Sequence, residues 1–308
     1  MIEKGKKKDR SILKKVYKRV YVSAKKGKED PYWLPDKPEY NAVRSRVAEM
    51  VDYARSVEFE EIETTGYDGI RLYGRLYRGR EDAPVMIAFH GYMSAAFRDC
   101  GLSVRLRDTL GFNAIVIDQR GQGKSGGENI TFGAKESRDA ISWCNYAKEL
   151  FGENVQIGLC GVSMGASTII LAAQRDDFPK NVKGIFADCP FSSGEAIIKN
   201  QIHQMKLPVG ICYHAVKKAG EKYGDVHMAE TDCVKNISRI QVPMYLVHGE
   251  NDNFVPCEMS RIIQRANPEM ITLSTYPGAE HGLSYMVDSA RYEKENLGFW
   301  TSVFDNYQ

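Results

Sequence analysis

Apolar and polar positions along this chain group into short blocks whose spacing changes in a regular order. From Pro84 onward, brief apolar runs alternate with longer amphipathic segments. The runs Val85–Phe89, Asn113–Ile117, Val155–Leu159, Gly184–Ala187, Met244–Val247 and Ile271–Thr275 predict strands. Segments near residues 96–110, 135–150, 164–174, 256–266 and 284–304 predict helices between them. Such alternation implies a mostly parallel sheet covered by helices on both faces. Upstream, Glu58–Thr64 and Ile70–Tyr77 flank Gly66-Tyr67-Asp68-Gly69 and predict a hairpin or antiparallel pair. With those two strands leading, the sheet is expected to have eight.

The pattern before residue 57 is different. Ile12, Val16 and Val20 recur at helical spacing with Leu13, Tyr17 and Tyr21 beside them, and lysines occupy the opposite face. A proline-containing connector, residues 30–38, leads to a second helix near 39–55 that aligns Val43, Val47, Met50 and Ala54. The expected organisation is a basic helical extension, 1–56, followed by one domain, 57–308. Within that domain, residues 192–236 interrupt the alternation. They predict a short helical segment over the carboxyl edge of the sheet, forming one wall of a substrate cleft.

Charge sharpens the contrast between these parts. Residues 1–28 hold twelve Lys/Arg against Glu3 and Asp9, a balance of +10, so the remainder carries −8 to give the net +2. A balance near neutrality gives no electrostatic case for nucleic acid as a partner. The basic helix is read as packing its apolar stripe on its own domain; the alternative is a weak contact of residues 1–28 with an anionic membrane surface. Seven cysteines without a C-x-x-C pair suggest neither a disulfide framework nor a zinc site, and a reducing cytoplasmic setting is expected. No run reaches the roughly 20 apolar residues of a membrane span, and no secretory leader is expected.

The most informative chemistry is Gly161-Val162-Ser163-Met164-Gly165, which follows a strand and opens a helix. G-x-S-x-G in that setting is a nucleophile elbow, a turn so tight that small residues must flank the serine. Serine needs a base, a group to orient the base, and donors for the oxyanion. Asp252 follows the strand Met244–Val247, and His281 follows the last strand, so both fall at carboxyl strand ends with Ser163, where open α/β sheets bind ligands. Ser163, His281 and Asp252 are therefore the candidate nucleophile, base and orienting acid. The backbone N–H groups of Met164 and Tyr92 are the candidate oxyanion donors, Tyr92 because it lies in the loop after Val85–Phe89. His90 and His248, each before a glycine at a strand end, are assigned to shaping loops. Met93, Phe97, Phe191, Met205 and Tyr213, with the Tyr92 side chain, are candidates to line the cleft.

One segment imitates a phosphate loop. Gly121-Gln122-Gly123-Lys124-Ser125-Gly126 matches G-x-G-x-x-G, but a Walker loop needs glycine where Asp118 stands, and no helix opens directly after it. It is read as a glycine-rich turn, with Arg120 hydrogen-bonding locally.

Together His90-Gly91-Tyr92, Asp118-Gln119-Arg120-Gly121-Gln122-Gly123-Lys124-Ser125, Gly161–Gly165, His248-Gly249-Glu250-Asn251-Asp252 and Glu280-His281-Gly282 resemble the successive motifs of the α/β-hydrolase superfamily. Asp188-Cys189-Pro190-Phe191-Ser192-Ser193 and Val255-Pro256 resemble its bacterial esterase and acyl-peptidase-like branch, whose lids are short. The resemblance spans roughly 57–308. It implies the α/β-hydrolase fold and hydrolysis of an ester, thioester or amide with no cofactor and no metal. The expected activity is cleavage of a small-molecule carboxylic ester, with short to medium acyl chains favoured by an open cleft. Two rivals stand beside it. One is a peptidase or aminoacyl hydrolase anchored by Glu195 or Glu280; the other is a catalytically silent fold used as a binding or membrane-surface module.

Overall fold

A computed structural model of the chain describes residues 2–24 and 26–304, with side chains from Ser11 onward. Eight strands form one sheet: β1 (Glu60–Thr65), β2 (Arg71–Tyr77), β3 (Val85–Phe89), β4 (Asn113–Asp118), β5 (Ile157–Val162), β6 (Val182–Asp188), β7 (Met244–Gly249) and β8 (Ile271–Tyr276). Their spatial order is β1-β2-β4-β3-β5-β6-β7-β8. β1 pairs antiparallel with β2 and β2 with β4, while every pairing from β4 through β3 to β8 is parallel. This is the α/β-hydrolase architecture, with the expected antiparallel pair at one edge.

Because side chains alternate across a strand, each central strand feeds two cores. Ile87, Phe89, Leu159 and Ile185 face α6 (Glu136–Phe151) and α7 (Met164–Ala173), where Trp143, Ala147, Ile169 and Ile170 bury against them. Met86, Phe112 and Phe186 belong to the opposite core, closed by α3 (Arg44–Ser56), α5 (Gly101–Leu110) and α12 (Ser289–Val303) through Met50, Leu102 and Trp300.

Three expected helices are broken, each for a local reason. The segment 96–110 divides at Cys100 into α4 (Ala96–Asp99) and α5, and a Cβ on Gly101 would stand only 3.2 Å from the Met50 carbonyl oxygen. The segment 284–304 divides into α11 (Ser284–Val287) and α12, because Asp288 leaves the helix and its carboxylate accepts from the Arg291 N–H at 3.1 Å. The second N-terminal helix is α2 (Pro38–Asn41) followed by α3, with proline at the first helical position of α2. The last of the long helices before these, α10 (Glu258–Ala266), forms as expected.

Residues 192–236 do form helices, α8 (Gly194–Gln204) and α9 (Val209–Gly224), followed by short 3-10 turns. α8 is tied to the loop after β7: the amides of Asn200 and Gln201 donate to the Phe254 carbonyl and Gln204 to that of Asn253. α1 (Ile2–Val20) lies along α9. Glycines at 220 and 224 permit that approach, since a Cβ there would meet the Tyr21 hydroxyl at 2.6 Å and the Tyr17 ring at 2.8 Å. Leu13 and Tyr21 are buried, Val16, Tyr17 and Val20 half-buried, and Ile12 is exposed. The apolar stripe therefore rests on the protein itself. Among the described residues no helix is long and apolar enough to cross a membrane.

Candidate active site

The turn from β5 into α7 imposes its own sequence. Ser163 sits at φ +56°, ψ −117°, a conformation that costs energy for any residue with a side chain. It is held there by its N–H donating to the Asp188 carbonyl at 2.8 Å. A Cβ on Gly161 would lie 2.5 Å from the Gly165 backbone, and one on Gly165 would lie 2.2 Å from the Phe89 carbonyl oxygen. Both flanking positions therefore require glycine for space alone.

Three chain segments converge on this serine. The His281 Nε2 is 3.0 Å from Ser163 Oγ, and its Nδ1 is 2.6 Å from Asp252 Oδ2. An ionised carboxylate only accepts, so Nδ1 carries the proton and Nε2 accepts from the serine hydroxyl. Asp252 is buried, and its other oxygen accepts from the N–H groups of Phe254 and Val255 at 2.9 and 2.8 Å. Burial alone would raise its pKa; the charge of His281 and hydrogen bonds from His248 and His281 outweigh burial and hold it down at about 2. For His281 burial pulls the pKa down, but Asp252 overcomes it by charge and hydrogen bond, leaving the ring above its ordinary 6.5. A polarised hydroxyl, an oriented imidazole and a permanently ionised acid are the components of a proton-transfer relay to a serine nucleophile.

The loop after β3 runs against the nucleophile, where a Cβ on Gly91 would stand 3.4 Å from Ser163 Cβ. Its own N–H is occupied, donating to Asp99 Oδ2 at 2.8 Å, and Tyr92 is the next residue of this loop. The Met164 N–H lies in the first turn of α7, where no intrahelical carbonyl reaches it.

Both histidines assigned to loops are buried and engaged. His90 Nε2 accepts from the Gln119 N–H at 3.0 Å, so Nδ1 is the protonated nitrogen and donates to the Gly91 carbonyl at 2.8 Å. His248 bonds Ser260 and the Val255 carbonyl and lies 3.3 Å from Asp252. It thereby braces the acid loop. Asp99 and Tyr40, which carry no motif, also serve the site, as does Asp188, which opens the Asp188–Ser193 segment. Asp99 fixes the loop after β3, the Tyr40 hydroxyl donates to the His281 carbonyl at 3.0 Å, and Asp188 holds the Ser163 amide by its carbonyl.

A cavity of about 440 Å³ opens at Ser163 and His281. Of the expected lining residues, Tyr92 and Met93 border it, and Phe97, Phe191, Met205 and Tyr213 do not. Phe97 packs beneath Arg75, Phe191 is buried under the α8–α9 layer, Met205 is exposed, and Tyr213 donates to Glu195. Trp33, Leu34, Tyr40 and Met50 of the N-terminal extension line the cavity in their place. Nothing in the spacing of residues 30–50 signals this, because the connector reaches the site only through the tertiary fold. Glu195 and Glu280 also lie off the cavity, the first paired with Lys199 and the second accepting from Asn253.

The glycine-rich loop does cradle an anion, but the anion is the chain's own. Asp118 Oδ2 accepts from the Lys124 N–H at 2.8 Å, its carboxylate pairs with Arg75, and a Cβ on Gly123 would strike it at 2.2 Å. Arg120 bonds Asp139 and Asp68. Donors of metal-binding type group together at Cys189, Asp252 and His281, within 4.8 Å of one another. Burial keeps the Cys189 thiol protonated, and the other two are already bonded to each other, so this trio does not suit an ion.

Residues 80–216 and 221–285 match the family Hydrolase_4, described as Serine aminopeptidase, S33. The uncharacterized protein YqkD of Bacillus subtilis is 24% identical over 254 residues, covering 80% of this chain and 83% of YqkD. The bifunctional esterase/perhydrolase DCH of Acinetobacter calcoaceticus is 23% identical over 286 residues, covering 76% and 98% respectively. Among solved structures, the Pyrococcus furiosus esterase Pf2001 superposes with a TM-score of 0.65 at 24% identity, covering 81% of this chain and 93% of its own.

Proposed function

Because the chain belongs to the Hydrolase_4 (serine aminopeptidase, S33) family and is an α/β hydrolase, we propose that it cleaves carboxylic esters through an acyl-enzyme on Ser163. The observation that carries this reading is the unbroken hydrogen-bonded chain from Asp252 through His281 to Ser163, at 2.6 and 3.0 Å, beneath a strained elbow. In the first half-reaction Ser163 Oγ attacks the acyl carbon while His281 Nε2 takes its proton. The amides of Met164 and Tyr92 bear the oxyanion charge. The tetrahedral centre collapses, the C–O bond to the alcohol breaks, and His281 returns the proton to the departing oxygen. In the second half-reaction His281 deprotonates water, which attacks the acyl-serine and releases the acid and free Ser163.

Similarity to an esterase and to an esterase/perhydrolase favours an ester over an amide. An aminopeptidase would need a free carboxylate in the cavity for the substrate's ammonium group. Glu195 and Glu280 lie elsewhere. Asp188, which borders the cavity, accepts from the Tyr292 hydroxyl at 3.0 Å through Oδ2, while its buried Oδ1 has no partner among the described residues. An ammonium anchor therefore falls to Asp188, and the anilide arm of the test reads it. The test is hydrolysis of p-nitrophenyl butyrate and of aminoacyl p-nitroanilides by wild type and Ser163→Ala. Ester turnover falling on the order of a millionfold in the variant is the expected result. Retained turnover removes Ser163 from the reaction; anilide turnover alone replaces the ester reading with the peptidase one.

A further inference from the structure

The cavity at Ser163 extends inward along the sheet face covered by α5 and α12. Its borders include Ala88 and Met86 on β3, Cys160 on β5, Leu102 and Leu106 on α5, and Trp300 on α12. Cys160 gives an independent sign of the empty space. It sits in a central strand with a strand on either side, yet it is only half-buried while its chain neighbours Leu159 and Gly161 are buried. Its exposed surface faces the cavity.

The depth of this tunnel follows from register. Met86 stands opposite Gly158, and Ser163 lies five residues beyond Gly158, so the inner end is about 16 Å from the nucleophile at ~3.3 Å per residue. Helix α12 gives a similar length: Tyr292, Asn296 and Trp300 all border the space, spanning about 12 Å of helix at 1.5 Å per residue. Met86, Phe112 and Trp300, all buried, form the inner end. A Cβ on Gly158 would stand 2.6 Å from Met86 Sδ and 2.7 Å from the Trp300 ring, so the wall there is already filled.

We infer that this tunnel is an acyl channel, and that the substrates are medium- to long-chain acyl esters or thioesters rather than acetyl esters. The inference rests on Ser163 being the nucleophile. An extended hydrocarbon advances about 1.25 Å per carbon, given C–C bonds near 1.5 Å, so the tunnel holds an unbranched chain of about ten to twelve carbons. Apolar walls stabilise such a chain by roughly 0.8 kcal/mol per methylene removed from water. The acyl group, rather than the alcohol, belongs in the tunnel because of the order of events. The alcohol leaves first and water must then reach the acyl-serine, and both need the open side of the site while the acyl chain stays anchored.

The experiment is a chain-length series of p-nitrophenyl esters from acetyl to palmitoyl, with ethyl decanoate and decyl acetate as a matched pair. Wild type is compared with Cys160→Phe, which fills the tunnel from the sheet, and Leu102→Trp, which fills it from α5. Expected in wild type are a kcat/KM at decanoyl at least tenfold above acetyl, and a preference for ethyl decanoate over decyl acetate. Either plug should cost decanoyl at least tenfold and leave acetyl within about threefold; retained acetyl turnover also certifies folding. A wild-type optimum at acetyl, equal loss on all chains in both plugs, or a preference for decyl acetate overturns the inference. Decanoate binding to Ser163→Ala by calorimetry reads the tunnel without catalysis. Binding that the plugs abolish sustains the channel even if no ester is turned over, a result that would count against Ser163 alone; absent binding overturns the channel itself.

Discussion

At the scale of single residues, the site's pH behaviour follows from one imidazole. His281 must be neutral at Nε2 to accept the serine proton, and its pKa is raised because Asp252 favours the charged ring more than burial disfavours it. A raised pKa means that protonated, inactive enzyme persists to higher pH. The kcat/KM is thus expected to rise with pH through a midpoint above 6.5, and a flat profile from pH 5 to 9 would contradict His281 as the base. Asp252→Asn should remove the force that raises this midpoint and cost on the order of 10⁴ in kcat by presenting the wrong tautomer. Gly165→Ala probes the elbow differently. Its methyl would press on the Phe89 carbonyl, and the expected loss is at the upper end of the ~1–3 kcal/mol of overpacking, read by urea unfolding. Ser163, Asp252 and His281 were legible from the sequence because each sits at the end of a strand in a short motif with its own spacing. Asp99, Tyr40 and Asp188 were not legible as parts of the site. Their partners lie in other segments: Asp99 and Tyr40 carry no local signature, and the segment that Asp188 opens resembles the family without disclosing its bond to Ser163.

At the scale of elements, apolar periodicity located all eight strands and the main helices but misread their continuity. Cys100 and Asp288 interrupt helices through a close helix crossing and a cap, and both depend on neighbours rather than on propensity. The N-terminal helix is the larger lesson. Its stripe of Leu13, Tyr17 and Tyr21 was visible in the sequence; that it lies on α9, and that its last residue meets the site, was not. The Tyr92 hydroxyl donates to the Val20 carbonyl at 2.7 Å, joining the end of α1 to the loop after β3 that borders the cavity. Deleting residues 1–22 should uncover the apolar face of α9 and release this loop. Loss of two buried side chains, Leu13 and Tyr21, at roughly 1.5–3 kcal/mol each predicts a marked fall in Tm, with kcat reduced as well. An unchanged Tm and kcat would mean that α1 does not pack there in solution.

At the scale of the whole molecule, the alternation of strand and helix determined the sheet, and the sheet placed three motif residues at one edge. The shape of the substrate space did not follow from any pattern. Sequence reasoning set the cleft under residues 192–236 because an interruption in the alternation marks a cap; the cavity instead runs beneath the connector and along α12. Empty volume is a property of how side chains fail to meet, and alternation of apolar residues reads the same whether a core is filled or hollow. The central claim, a live serine nucleophile in this geometry, is tested most directly by treating the protein with a fluorophosphonate and mapping the adduct by mass spectrometry. A single phosphonyl group on the peptide containing Ser163, absent in Ser163→Ala and slowed at least a hundredfold in His281→Ala, is the predicted result. No adduct, or labelling of another residue at an equal rate, would contradict it.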